Sequence, residues 1–142
     1  MNLNLQIIAS DIQDICISSH FYTPYEIRTL RYPSFYQNED VPDPDILYIV
    51  TAGQRIKIPL SDTVFSFIFI GAPPETNLRA CNYLIVKPET NPVCLLNQLH
   101  EIYFRYQQWE NSLRLAALNH KSLKEIGNLS LKIFNNAIQF YN

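Results

Sequence analysis

Between residues 91 and 119, NPVCLLNQLHEIYFRYQQWENSLRLAALN, one apolar stripe runs unbroken: Leu95, Leu99, Ile102, Tyr106, Trp109, Leu113 and Ala116 recur at alternating spacings of four and three. That period places all of them on one face of an α-helix. Asn91 supplies an N-cap, and Pro92 suits the first helical position, where an amide hydrogen has no acceptor inside the helix. No Pro or Gly follows until Gly127. At about 1.5 Å per residue such a helix reaches roughly 40 Å, the width of a small domain. A chain of this size accommodates it as a spine, a connector or a subunit contact. Leu96, Tyr103 and Ala117 lie beside the stripe and widen it. The sequence therefore predicts a homodimer interface built from Leu95, Leu99, Ile102, Tyr106, Trp109 and Leu113, with packing against the chain's own sheet as the alternative.

Ahead of the helix, three apolar runs, Ile46–Val50, 64–70 and 83–86, are short, rich in β-branched and aromatic residues, and continuous rather than alternating. Such runs fit strands covered on both faces of a parallel sheet. The intervening TAGQRIKIPLSDT and GAPPETNLRACN are long enough for short right-handed crossovers. Residues 55–58 do alternate, with Ile56 and Ile58 beside Arg55 and Lys57, which leaves an antiparallel arrangement with one more strand open. At the start, Leu5, Ile8, Ile12 and Ile15 have helical spacing, and the pattern then breaks from 18 to 24. Pro33 lacks the amide hydrogen that a central strand needs, so 26–36 is expected to hold an edge strand or a bulge. QNEDVPDPD reads as a surface loop, its two prolines spoiling the alternate oxygen spacing of a calcium loop.

Beyond the long helix, Leu123, Ile126 and Phe134 predict a second helix folding back on the first, and 137–141 a strand. The expected fold class is α/β: a small, mainly parallel sheet with short crossovers, then a long amphipathic helix and a second, shorter one. The expected organisation is an α/β core over 1–90 and a helical hairpin over 91–135 packed on it as one domain, with 136–142 the truncated start of a following domain. At 142 residues the chain is long enough to bury about two thirds of its unfolded surface and needs no staple to fold. Cys16, Cys81 and Cys94 share no metal or redox spacing and are expected to be reduced core residues of a cytoplasmic protein. The opening MNLNLQIIASDIQD lacks the basic start and long apolar run of a secretory signal, and no window approaches the ~20 apolar residues of a membrane span.

Eleven basic and thirteen acidic residues give a formal charge of −2, with both signs scattered. Phosphate neutralisation needs clustered Lys and Arg, so a nucleic-acid surface is not expected here; Arg28, Arg31 and Tyr32 read as a half-exposed strand face. The three histidines have no local metal spacing, and three glycines cannot build a dinucleotide or phosphate loop. No catalytic residue, metal or cofactor is expected. One constellation points to binding. In a parallel sheet the loops leaving the carboxyl ends of the strands gather at one edge, where ligands sit. Those loops would carry Thr51, Gly53, Gly71, Glu75 and Lys87, the glycines allowing close backbone approach and the others offering polar contacts. Ordinary strand-to-helix turns are the alternative.

The helix pattern Asn97-Gln98-Leu99, Ile102-Tyr103-Phe104, Arg105-Tyr106, Trp109-Glu110 and Leu113, followed by Ser122-Leu123, Ser130 and 133–138 (IFNNAI), resembles the N-terminal region of PucR/CdaR-like bacterial transcription regulators. Leu47-Tyr48-Ile49 and 82–86 (NYLIV) fit the same layout. The resemblance covers nearly the whole chain, with the aromatic helix and the Phe-Asn-Asn turn its most distinctive parts. It implies a noncatalytic sensory and dimerisation module for a small-molecule effector, with DNA contacted through a C-terminal helix-turn-helix domain that this chain lacks. It carries over no ligand residues. A stand-alone small-molecule enzyme on an α/β core and a pure protein-interaction module remain the other readings.

Overall fold

A computed structural model describes residues 3–22, 29–38, 41–59, 63–74, 78 and 80–118. Strands are β1 (Leu3–Asn4), β2 (Cys16–His20), β3 (Thr29–Leu30), β4 (Tyr32–Phe35), β5 (Ile46–Val50), β6 (Phe65–Ile70) and β7 (Cys81–Val86); helices are α1 (Leu5–Asp11) and α2 (Pro92–Leu118). The main sheet has the order β2-β7-β6-β5-β4, with β4 to β7 parallel and β2 antiparallel to β7, while β1 and β3 form a small antiparallel pair. The α/β class and the mainly parallel sheet are as the continuous apolar runs predict.

From β4 to β7 each step moves one place across the sheet in the same direction, so right-handed crossovers must all fall on one face. The core agrees. Tyr36, Ile56 and Leu78, one from each crossover, are buried with Tyr48, Phe67 and Phe69 on that face. Aromatic contacts form a row across it, Tyr36 edge-on to Tyr48 at 5.7 Å, Phe67 stacked on Phe69 at 5.6 Å, Phe69 edge-on to Tyr83 at 5.5 Å and Tyr83 stacked on His20 at 5.0 Å. The opposite face presents Leu47, Ile49, Ile68, Ile70, Leu84 and Val86 to both helices. Burial on both sides explains why these strands show no polar alternation.

Helix α1 starts where Asn4 Oδ1 accepts the Ile7 N–H at 2.9 Å. Its Leu5 and Ile8, with Ile12 just beyond, meet Leu95, Leu99, Ile102 and Tyr106 of α2 in the helical-side core. Asn91 caps α2, its Oδ1 accepting from the Val93 and Cys94 N–H groups at 2.9 and 3.1 Å. Helix α2 runs over β4, and its Tyr103 hydroxyl donates to the Leu30 carbonyl of β3 at 3.0 Å.

Pro33 does sit in an edge strand. Tyr36 donates its N–H to Ile49 O, and the alternation of a parallel ladder then turns the Pro33 nitrogen away from β5. One alternative left open is not taken up, and two expectations differ. Residues 55–58 form no strand, Ile56 and Ile58 instead closing the aromatic core. The polar segment Cys16–His20 is a strand, paired to β7 through a bulge between Cys16 and Ser18. Only Cys81 of the three cysteines is a core residue: Cys16 is half-buried and Cys94 exposed, one helical position from the Leu95 stripe. The second helix after α2, the strand at 137–141 and the proposed boundary at 136 lie outside the described residues.

Candidate functional site

The carboxyl ends of β4 and β5 are joined through one side chain. Thr51, Ala52, Gly53 and Gln54 form a β-turn in which Gln54 N–H returns to Thr51 O at 3.2 Å. Gly53 at the third position has φ +84°, the geometry of a type II turn, which favours Gly there. The Gln54 side chain then folds inward. Its Oε1 accepts from Thr51 N–H at 2.8 Å and from Thr51 Oγ1 at 3.1 Å, while its Nε2 donates to Tyr36 O at 2.8 Å. One amide thereby ties the exit of β4 to the exit of β5. The Tyr36 hydroxyl accepts the Lys57 N–H at 3.1 Å and holds the far end of the same loop.

Between this turn and the residues leaving β6 lies a cavity of about 300 Å³, walled by Val50, Phe69, Ala72, Pro73 and Pro74 and rimmed by Thr51, Gly53, Gln54 and Arg55. A larger hollow of about 520 Å³ lies between α1 and the outer side of β2, but its side chains are Gln, Ser, Cys and apolar groups with no charge. The smaller cavity has the better-defined chemistry. It sits at the carboxyl edge of parallel strands and brings a guanidinium to an apolar wall.

Of the residues the sequence singled out, Thr51 and Gly53 line this cavity. Gly71 is buried beside it instead. Its φ is +82°, its N–H donates to Val86 O at 3.0 Å, and a methyl group built on it would lie 3.3 Å from Pro88 Cβ. Lys87 is exposed and outside the lining, its backbone N–H donating to Ile15 O at 2.9 Å. Glu75 lies outside the described residues. Gln54 and Arg55 were not singled out, because they were taken only as part of the crossover after the Thr-Ala-Gly turn; that turn sequence was the available signal that the next side chains flank the strand exit.

The dimer stripe goes mostly to the chain's own core. Leu95, Leu99, Ile102 and Tyr106 are buried against the sheet and α1, which leaves Trp109 and Leu113, both half-buried, from the six. Phe104, Leu115 and Leu118, spaced by eleven and three, are exposed on another side of α2.

Asp11 on α1 meets Arg105 on α2 at 3.4 Å with its side chain 4% exposed, and burial raises its carboxyl above the usual value despite the nearby guanidinium. Burial likewise pushes the Cys81 thiol to about 11. Among the described residues no group of three His, Cys, Asp or Glu is placed to hold a metal, and no helix is long and apolar enough to cross a membrane. No family model, curated protein or solved structure matches the chain.

Proposed function

We propose that the chain is a noncatalytic sensory and assembly module of a PucR/CdaR-like bacterial transcription regulator. It works in the cytoplasm, takes a small-molecule effector, and leaves DNA to a helix-turn-helix domain outside these residues. One observation carries the reading: the loop that walls the cavity leans on the loop that launches α2. Gly71, at the exit of β6, bonds to Val86 and abuts Pro88, and Thr90 N–H turns back to Lys87 O just before Asn91 caps the helix. A ligand that displaces Ala72 to Pro74 therefore bears on the start of a 27-residue helix. Packed side chains respond to such a push as a body rather than by yielding locally.

For assembly, the reading takes a homodimer through the exposed Phe104, Leu115 and Leu118 rather than through the buried stripe. The test is a thermal-shift screen of small metabolites against the chain and an Ala72→Trp variant that fills the cavity. Saturable stabilisation of the native chain, absent from the variant, is expected. Equal responses from both proteins would contradict the reading.

A further inference from the structure

We propose that the cavity at the exits of β5 and β6 takes a small carboxylate, with Arg55 on its charge and Phe69, Pro73 and Pro74 against its carbon body. The proposal rests on the sensory reading above and names the chemistry of its ligand. The polar inventory of the rim decides the sign. The Thr51 N–H and hydroxyl hydrogen are spent on Gln54 Oε1 and one Gln54 Nε2–H on Tyr36 O, which leaves the second amide N–H of Gln54 on the rim as a donor. Arg55 is exposed, and among the described residues its guanidinium has no ion pair or hydrogen bond. The Gly53 and Ala72 N–H groups likewise have no acceptor among the described residues.

The rim therefore offers several unspent N–H donors, and the one full charge among its described residues is positive. No Asp or Glu is among the described residues of the lining. A planar guanidinium pairs with a carboxylate through two parallel hydrogen bonds, the geometry for which Arg is suited and Lys is not. The remainder of the wall is apolar, which asks for a ligand with a hydrocarbon portion rather than a bare inorganic anion. Its volume of about 300 Å³ lies at the lower limit of small-molecule sites, so that portion is short.

The test is an amide-resolved NMR titration of the isotope-labelled chain with butyrate, its neutral isostere butyramide, and inorganic phosphate. Butyrate should shift the Gly53, Gln54 and Ala72 amide signals saturably, and butyramide should bind at least about tenfold more weakly, the worth of one charge-assisted hydrogen bond. Arg55→Gln should weaken butyrate by a similar factor with the rest of the spectrum unchanged, since the exposed side chain makes no ion pair or hydrogen bond among the described residues. Butyramide binding as well as butyrate would overturn the carboxylate assignment and leave ligand sensing at the cavity standing. Phosphate binding as well as butyrate would overturn it too, because the apolar wall would then contribute nothing. Absence of saturable shifts with every probe at tens of millimolar would contradict both the assignment and the sensory reading of this cavity.

Discussion

Gly53 and Gly71 share a left-handed backbone but not a reason for being glycine. Both need positive φ, and at Gly53 a side chain would point into open space, whereas at Gly71 it would press on Pro88. A non-glycine residue held in this region costs about 1–3 kcal/mol. Gly53→Ala should stay near the lower figure and Gly71→Ala should exceed it, as read from urea midpoints; equal losses would deny the contact between the two loops. Asp11 makes a prediction with a definite sign. Its folded-state carboxyl is raised, so between the unfolded and folded values the native state holds more proton than the unfolded state, and stability falls as pH rises through that window. Relative to Asp11→Asn, the native chain should be more stable near about pH 4 than near about pH 7, measured by thermal unfolding. At this scale the sequence showed why Thr51 and Gly53 stand at a turn, because Gly marks positive φ locally. It did not show Gln54, whose partner Tyr36 is eighteen residues away, nor that Cys94 would face water one position from a buried Leu.

Helix α2 divides into two lengths that differ in burial. Its first half is cemented into the helical-side core by Leu95, Leu99, Ile102 and Tyr106, all at most 2% exposed, while the second carries the half-buried Trp109 and the exposed Leu115 and Leu118. Leu99→Ala should cost about 2–5 kcal/mol, the range for emptying a core leucine site. Ile102→Glu should unfold the chain rather than yield folded monomers. Leu118→Glu should leave the fold intact and convert the sedimenting species from dimer to monomer; a variant that sediments as the native chain does would contradict the distal contact. Asn91→Ala should cost about 1 kcal/mol through the lost cap. The periodicity of 91–119 was enough to define the helix and its apolar face, since both are properties of local spacing. It was not enough to say what covers that face: a heptad stripe is the same whether the partner is a second copy or the chain's own sheet.

For the whole molecule, the parallel sheet was legible because strands covered on both faces need apolar residues at nearly every position, and β5, β6 and β7 supply them, with Ser66 and Asn82 the buried polar exceptions. Strand β2 was not, since three of the five residues of Cys16–His20 are serine or histidine and it owes its conformation to pairing with β7 rather than to its own propensity. The consequence for function is one of placement. Right-handed crossovers send the aromatic core to one face and leave the other to the helices, so the cavity at the strand exits and the start of α2 meet at the same edge. Coupling between them is the central claim, and hydrogen-exchange mass spectrometry of the native chain against Ala72→Trp tests it without any ligand. Filling the cavity should alter exchange at 71–74, 87–91 and the first two turns of α2 together, while 110–118 keeps its native pattern. Changes confined to 50–55 and 71–74, with the start of α2 untouched, would contradict it.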